Sequence, residues 1–452
     1  MRDRLSEALR NHSAEQVEVR YEVRDSTRIT YRGRQLEEAS LTSDSGGCAR
    51  ALVKGGWGFA SFNDAGAIED GVSRAVEHAR YSGGTALALP PREPCDASVA
   101  SLPARSVEKV ALEEKKRLLD EYRDIVMSSP RIQSCHIQYS DSLRTVRYVS
   151  SDGSYIEQRV PDLSLRVAAI ARGDGDVQQA GVSLGSVGDF AAIEGLHDQV
   201  RDLARRAAAL LDAPNAKGGE YTVVLDPVLA GVFTHEAFGH LSEADLVYDN
   251  PQLRELMTLG RRFGGPQLNI VDDATISTLR GGYAYDDEGT PGQRTYLIRE
   301  GVLVGRLHSR ETAARMGEAP SGNARAIDYR HSPIVRMSNT YIENGDVPLA
   351  DMLADIREGV YVKDWYGGQT SLEMFTFSAG ESYMIRNGKL AEMLRPVVLT
   401  GNVFTTLERI DAIGVDLEMN QGGGCGKSGQ SPLPVSNGSP HVRMSRCVVG
   451  GR

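Results

Sequence analysis

Long apolar runs are missing from this chain of 452 residues. No stretch approaches the ~20 consecutive apolar residues that a membrane span needs, so we expect no membrane partner. The N-terminal segment 1–7 is charged and lacks the apolar region of a secretory signal. Cysteine is scarce as well: the chain has five, an odd number scattered along its length, which does not suggest a disulfide framework. These absences favour a reducing compartment, and we expect a cytoplasmic protein.

An excess of basic residues is also missing. Lys and Arg number 51 against 61 Asp and Glu, which gives a net charge of −10. Proteins that coat DNA or RNA present a basic surface, so we expect no nucleic-acid partner. The hydrophobic content of 40% and the charged content of 25% are typical of a folded soluble protein. At this length the chain exceeds one compact core, which predicts two or three domains.

Two imidazoles flank a carboxylate in the segment 234–240, which reads Thr-His-Glu-Ala-Phe-Gly-His. His235 and His240 are five positions apart, so a regular α-helix would splay them by about 140°. One π-type turn would restore their alignment, and Gly239 is a suitable place for it because glycine distorts easily. Together with Glu236, the pair has the residue types of a hydrolytic zinc site. On the histidines alone, two satisfied core residues are the alternative interpretation.

A lone thiol in a glycine-rich segment adds a third possible ligand. Cys425 lies between Gly424 and Gly426, and a thiolate is a strong zinc ligand. The nearby Lys427 is predicted to favour the thiolate over the thiol. The alternative is a small apolar residue in a flexible loop. The segment lacks the G-x-x-x-x-G-K-[ST] spacing and follows no strand-forming run, so it is not interpreted as a phosphate-binding loop.

Three motifs occur in an order that resembles a known family. They are HEAFGH at 235–240, RGGYAYDDEGTP at 280–291 and GGGCGKSGQ at 422–430. From about residue 15 to the C-terminus the chain is similar to the TldD/PmbA metallopeptidases, and specifically to the TldD type, because the TldE (PmbA) type lacks the HExxxH pair. The resemblance implies a Zn²⁺ ion held by His235, His240 and Cys425, with Glu236 as the general base. It identifies no substrate-binding residue.

The resemblance also implies an activity and an assembly. We expect a zinc-dependent peptidase that hydrolyses unfolded or flexible peptides, in precursor processing or protein degradation, with the substrate bound as an added β-strand. The expected assembly is a homodimer or a heterodimer with a TldE (PmbA)-like subunit. The alternative is a non-catalytic, metal-stabilised partner or scaffold subunit of such a complex. Glu236 discriminates between the two, since a structural site needs no carboxylate beside a ligand unless that carboxylate is the fourth ligand. A zinc hydrolase of non-peptide amides is a third, weaker interpretation.

The order of predicted elements indicates an α+β protein. The N-terminal half reads as two α-β-β-β-α units, and the C-terminal half as mainly antiparallel β-structure with a metal-binding helix. We predict an N-terminal α+β unit, a proline-rich connector, a central α+β unit and a C-terminal metallopeptidase domain, at residues 1–88, 89–105, 106–215 and 216–452.

Individual elements follow from periodicity and turn residues. The central unit is predicted as a helix capped by Ser106, three strands and a second helix, at residues 106–127, 132–139, 145–150, 155–171 and 190–211. A helix at 228–241 holds HEAFGH. Glu300-Gly301 and Asn387-Gly388 predict hairpin turns.

Other polar residues receive structural interpretations. The acidic triplet 286–288 is expected to be solvated in a turn rather than to bind a second metal. Residues 363–368 are interpreted as a loop lining the cleft, and 244–265 as a surface excursion that could lie over the site. No chemical role is expected for a further set of isolated residues: His308, His331, His441 and Cys447.

Overall fold

One seven-stranded sheet takes its strands from the first 186 residues of the chain in the computed structural model, which describes residues 1–10, 12–100, 102–371 and 373–451. The first part contributes α1, β1, β2, β3 and α2, at Arg2–Ala8, Gln16–Arg32, Gln35–Val53, Gly56–Phe62 and Ile68–Ser82. The strand β4, Asp96–Ala100, follows in the connector. The second part contributes α3, β5, β6, β7 and α4, at Leu112–Met127, Ile132–Ser150, Tyr155–Gly173, Asp176–Ser186 and His197–Leu210.

The sheet confirms the two α-β-β-β-α units. Its order is β3-β2-β1-β5-β6, and β4 and β7 pair with different parts of β6. The two units meet where β1 and β5 run antiparallel over fifteen residue pairs, from Glu18↔Ser150 to Arg32↔His136. The helices cover one face with two apolar clusters. The other face is therefore left for the C-terminal half.

The predicted boundaries of the central unit are partly wrong. Residues 132–139 and 145–150 belong to one strand, because the polar stretch between them pairs with β1 on one side and β6 on the other. The strand β7 was not predicted. The first helix starts at Leu112 rather than 106, after a 3₁₀ turn that buries Val107 and Val110. The predicted helix 190–211 begins as a separate 3₁₀ turn and breaks at Gly195, whose φ is 72°.

The C-terminal half is mainly strands, as predicted. Its strands β8 to β16 are Gly219–Leu225, Ile270–Asp273, Arg294–Arg299, Val302–Leu303, Ala324–Arg325, Ile334–Val335, Asn339–Ile342, Glu358–Ser371 and Met374–Arg386. Strands β17 to β24 are Lys389–Leu394, Val397–Asn402, Ile410–Ile413, Glu418–Asn420, Gly424–Lys427, Gln430–Pro434, Ser436–Ser439 and Val442–Gly451. Helices α5 to α10 are Pro227–Thr234, Ala244–Asp249, Pro251–Leu256, Arg310–Met316, Leu349–Ala354 and Val403–Glu408. No helix in the described ranges has the length and apolarity to cross a membrane.

Two sheets enclose the helix α5. The order β15-β8-β24-β18-β16 closes on itself through β15–β16 pairing, which makes a small barrel. The second sheet runs β11-β10-β9-β14-β23-β20. The helix contacts β15 of the barrel and β14, β20 and β23 of the second sheet. Both predicted hairpin turns are confirmed, with positive φ at Glu300, Gly301, Asn387 and Gly388. A helix clamped on two sides is a rigid support for the side chains that follow it.

The acidic triplet is buried, so its predicted solvation is wrong. It joins the two halves of the chain, because Asp287 lies 3.1 Å from Arg20 and Glu288 lies 2.8 Å from Arg50. The third carboxylate, Asp286, accepts hydrogen bonds from backbone N–H groups of its own turn and of Ala324. Burial in a low-dielectric interface is tolerated here because each carboxylate has cationic or N–H partners.

Removal of the Arg50 guanidinium tests the weight of this interface. In Arg50→Met the carboxylates of Glu18 and Glu288 lose the cation that both contact, so we expect unfolding to become easier by about 3–5 kcal/mol. The measurement is urea unfolding followed by circular dichroism. Arg74→Met is the matched control, since Arg74 and Asp70 form an exposed helical pair whose loss should cost under about 0.5 kcal/mol. Equal effects of the two changes would contradict the interpretation.

Candidate metal centre

Three side chains from distant parts of the chain converge in the C-terminal half. One potential ligand atom from each of His235, His240 and Cys425 lies within 4.8 Å of the other two. The Cys425 Sγ is 3.5 Å from His240 Nε2, and the two imidazole rings lie 5.2 Å apart at an interplanar angle of 79°. Within the described ranges no other group of three His, Cys, Asp or Glu residues has this arrangement.

A π-helical turn brings the two histidines together. The helix α5 starts at Pro227, with the Asp226 carboxylate accepting from the backbone N–H of Leu229, and it passes into a π turn at His235–Gly239. The predicted change in periodicity is thus present. Gly239 has a second role that the sequence did not reveal, because a Cβ there would lie 2.1 Å from the Met337 sulfur. Glycine is needed for close packing as well as for ease of distortion.

Cys425 lies in a strand rather than in a flexible loop. It belongs to the β21–β22 hairpin, where it faces Leu433, and its side chain is buried. The fully buried Arg336 guanidinium donates to the Cys425 carbonyl at 2.7 Å and to the Gln430 carbonyl at 3.2 Å. These two bonds tie both strands of the hairpin to one cation, which fixes the position of the thiol.

The three side chains form an ionic cluster. Burial opposes the thiolate, but His235 and His240 outweigh it and lower the pKa of Cys425 to about 4. Burial likewise opposes both imidazolium ions; Cys425 nevertheless raises the pKa of His235, and Glu243 with Cys425 raises that of His240. A divalent metal would replace the imidazolium protons as the thiolate's positive partner.

Glu243 is a functional candidate that the sequence reasoning missed. Its fully buried carboxylate lies 3.0 Å from His240 Nδ1 and 3.0 Å from Lys427 Nζ. Lys427 also lies 2.7 Å from Asp245, so its ammonium is paired with two carboxylates, and the two histidines are the main groups that lower the pKa of Cys425. A carboxylate on Nδ1 orients the ring and leaves Nε2 for a metal. The signal was the three-residue spacing from His240 to Glu243, which one 3₁₀ turn closes, with the Glu243 N–H donating to the His240 carbonyl.

His235 and Glu236 line a cleft of about 640 Å³ between the two halves of the chain. One wall is the outer strand β7 at residues 179–185, and the other is residues 418–424 around β20. Trp365 lines the cleft as predicted, although residues 363–368 are part of strand β15 rather than a loop. In the described part of the chain, the Glu236 carboxylate makes no hydrogen bond or ion pair, so it is available to a molecule in the cleft.

The remaining polar segments and residues considered in the sequence lie outside the metal centre. Residues 244–265 do not line the cleft; they form α6 and α7, and Asp245 contacts the hairpin through Lys427. The isolated histidines lie outside the centre, each beside a carboxylate: His308 with Glu318, His331 with Asp328 and His441 with Asp416. Cys447 is buried in the barrel core.

Comparison with known proteins agrees with the fold and the centre. Three domain families match in order: PmbA/TldA metallopeptidase domain 1 at residues 17–79, the central domain at 105–211 and the C-terminal domain at 218–451. The chain belongs to the PmbA/TldD metallopeptidase family. The three matched ranges together extend over most of the sequence.

Individual PmbA/TldD relatives extend the likeness. The metalloprotease slr0863 of Synechocystis sp. is 45% identical over 440 residues, covering 97% of this chain and 95% of the relative. The zinc metalloprotease TldD homolog of Saccharolobus solfataricus is 36% identical and covers 71% of this chain and 72% of its own. TldE from Thermococcus kodakarensis has the same fold, with a TM-score of 0.75, 17% identity and 97% coverage of both chains. The relatives' names support a metallopeptidase-type role.

A change at Glu243 tests the support of His240. In Glu243→Gln the buried carboxylate charge that faces His240 Nδ1 is lost, so we expect the affinity for an added divalent metal ion such as Zn²⁺ to fall about 10–100-fold. Competition with a chelator of known affinity measures it. Glu318→Gln is the matched control, because Glu318 contacts His308 at 3.1 Å outside the centre, and its zinc affinity should equal that of the unchanged protein. A similar loss in both variants would assign Glu243 a general structural role.

Proposed function

We propose that the chain is a zinc-dependent peptidase whose metal is held by His235, His240 and Cys425. The observation that carries the proposal is a His-His-Cys trio, with His235 and Cys425 buried and His240 partly buried, beside an unpaired carboxylate in an open cleft. The residues present fit the ion, because two imidazoles and a thiolate are common zinc ligands. In addition, His235 Nδ1 is buried without a hydrogen-bond partner among the described residues, which leaves it free for a metal or a water molecule.

Two carboxylates beside the metal ligands have separate roles in the proposed reaction. Bound zinc would supply Lewis-acid chemistry that polarises the scissile carbonyl. Glu236 follows His235 in the chain and faces the cleft, so its carboxylate accepts the proton of the attacking water and passes it to the leaving amine. Glu243 holds His240 in one orientation. The peptide bond is hydrolysed in the part of the cleft that Glu236 and His235 line.

Flexible or unfolded peptides are the substrates that suit this cleft. Its two walls contain the strands β7 and β20, and each pairs with a single neighbour. Edge strands bind an extended peptide by main-chain hydrogen bonds with little dependence on side chains. A folded domain has few extended, unpaired segments to offer. Precursor processing and protein degradation both use this substrate class.

A dimer in the cytoplasm completes the proposal. The family includes the TldE type, whose fold this chain shares, and the assembly we propose is a heterodimer with a TldE (PmbA)-like subunit or a homodimer. The five cysteines are all unpaired as thiols, which suits a reducing compartment. The alternative, a non-catalytic metal-stabilised scaffold, would require a fourth ligand to close the site. The described residues place no further His, Cys, Asp or Glu ligand atom with the trio.

Glu236→Gln separates a peptidase from a scaffold. The amide is isosteric and the three ligands are untouched, so the variant should keep its fold and about one zinc per chain. Peptide hydrolysis should fall by a factor of about 10² to 10⁴, the usual contribution of a positioned acid–base group. Elemental analysis and a fluorogenic peptide assay measure the two quantities. His235→Ala is the control, since it should lose activity together with zinc. Normal turnover in Glu236→Gln would remove the proposed base, and loss of zinc would indicate Glu236 as a fourth ligand.

The assembly and the substrate class can be checked together. Light scattering after gel filtration should give twice the chain mass, or the mass of a pair when a TldE-like subunit is co-expressed. The active species should cleave an unstructured peptide and leave a stably folded protein intact. A monomer that cleaves peptides would contradict the proposed dimer. Efficient cleavage of the folded protein would contradict the substrate class.

A further inference from the structure

A second cavity lies between the two halves of the chain, away from the metal centre. It has a volume of about 520 Å³ and is lined on one side by β1, β2, β5 and β6. Its other side is formed by segments of the C-terminal half, including residues 280–287, 325–327 and 432–434. The proposed peptidase chemistry uses none of these residues. The cavity therefore needs a separate explanation.

Two arginines face each other across strands at the base of this cavity. Arg24 of β1 and Arg144 of β5 are direct partners in the sheet register, so their side chains share one face. The described residues give Arg24 one hydrogen bond, to the Ile327 carbonyl at 2.8 Å, and no ion pair. Arg144 has only a 3.6 Å contact with Glu22, and its NH1 nitrogen is buried without a hydrogen-bond partner. Like charges in this relation destabilise a sheet unless an anion joins them.

A third guanidinium reaches the same cavity from the C-terminal half. Arg325 donates to the backbone carbonyls of Met337 and Pro434 and lies 4.9 Å from the centre of the Tyr283 ring. Among the described residues no carboxylate forms a hydrogen bond or an ion pair with it, although Asp287 lies close enough to favour its charge. Burial lowers the pKa of both Arg24 and Arg325, and the charge of Arg144 lowers both further. Arg144 is therefore close enough to repel each of the other two cations.

Most acidic residues around the cavity are paired with other cations; Glu38 and Asp286 are not, and they accept hydrogen bonds from Ser40 and from backbone N–H groups. Arg20 contacts both Glu22, at 2.9 Å, and Asp287, at 3.1 Å. The other two carboxylates of the lining that form ion pairs are also taken, Asp141 by Lys115 at 2.6 Å and Asp162 by Arg280 at 2.7 Å. The nearest carboxylates therefore leave Arg24, Arg144 and Arg325 without a hydrogen-bonded anion of their own. All three arginines are partly buried, and a guanidinium that is withdrawn from water without such a partner is costly to maintain.

We propose that this cavity binds an oxyanion, a carboxylate or phosphate group, between Arg24, Arg144 and Arg325. Planar guanidinium groups suit two-oxygen anions because each can donate two parallel N–H bonds. The next row of the sheet adds hydroxyl donors, since Ser26 pairs with Thr42 on one side and Ser142 on the other. All three hydroxyls line the cavity. A bound oxyanion would give the three arginines one shared, hydrogen-bonded anionic partner.

The cavity and the metal cleft share a wall. Arg280 lines the cavity and donates to the carbonyls of Gln421 and Gly423, at 2.7 and 2.9 Å, while those two residues line the cleft. The oxyanion could therefore belong to a peptide, as its C-terminal carboxylate, or be free inorganic phosphate. Both offer the same oxygen chemistry to the three arginines.

Binding by the full-length protein tests the proposal directly. Isothermal titration and thermal unfolding would be measured with sodium phosphate, and separately with N-acetyl-trialanine as the free acid and as the C-terminal amide, against sodium chloride at equal ionic strength. We expect saturable binding and a raised Tm with phosphate, with the free-acid peptide, or with both, and no effect of the amide. Binding of the free acid alone identifies a peptide carboxylate, and binding of phosphate alone identifies a phosphate site. No specific effect of either oxyanion would overturn the proposal.

Variants distinguish an anion site from a structural charge cluster. Arg144→Gln should weaken oxyanion binding at least tenfold, yet leave the Tm without oxyanion unchanged or higher, because it removes one cation from a repelling set. Arg147→Gln is the matched control on the same strand; its side chain contacts Glu157 on the other face of the sheet, and oxyanion binding should be unchanged. Arg24→Gln serves as an independent second variant with the expectations of Arg144→Gln. A lowered Tm with unchanged oxyanion binding in both cavity variants would assign these arginines a structural role and overturn the proposal.

Discussion

Two buried ion pairs between the halves of the chain determine most of what this molecule can do. Arg20 with Asp287 and Arg50 with Glu288 hold the polar face of the N-terminal sheet against the C-terminal half. The cleft beside the metal centre and the cavity beside Arg144 both lie along this junction, with one wall from each half. A buried ion pair adds little net stability but is costly to break. It therefore fixes how the halves meet more than how tightly they bind.

The metal centre depends on a similar principle at shorter range. Two of the three proposed ligand side chains are held by a group outside the ligand set: His240 by Glu243, and Cys425 through the bonds of Arg336 to its hairpin. Glu243 and Lys427 also join the histidine segment to the cysteine hairpin. Such outer contacts orient ligands before the ion arrives. The π turn orients the two histidine side chains, and these charged contacts set the distance between the histidines and Cys425.

Local patterns in the sequence predicted the elements, and long-range pairing decided what they could not. The apolar period, the turn residues and the five-residue spacing of His235 and His240 were sufficient for the two α-β-β-β-α units, the hairpins and the π turn. Residues 140–144 are mostly polar, a pattern that predicts a break between strands, yet pairing with strands on both sides makes them the middle of β5. Glu288 is a charged residue in a turn, where exposure to solvent is expected. It is instead buried against Arg50, which lies 238 positions earlier in the chain. Local sequence patterns cannot predict a contact between residues so far apart in the chain.

The arginine cavity and the metal centre meet in one hairpin. Arg336 donates to the carbonyl of Cys425, and Arg325, which faces the cavity, donates to the carbonyl of Pro434 on the paired strand. A guanidinium has five N–H donors in a fixed geometry. If Arg325 turned to donate to an oxyanion, its hydrogen bond to the Pro434 carbonyl would therefore be strained or lost. The strand opposite the thiol is thus attached to a side chain that the cavity can also engage. Oxyanion binding and the position of Cys425 are therefore physically connected through the backbone of one short hairpin.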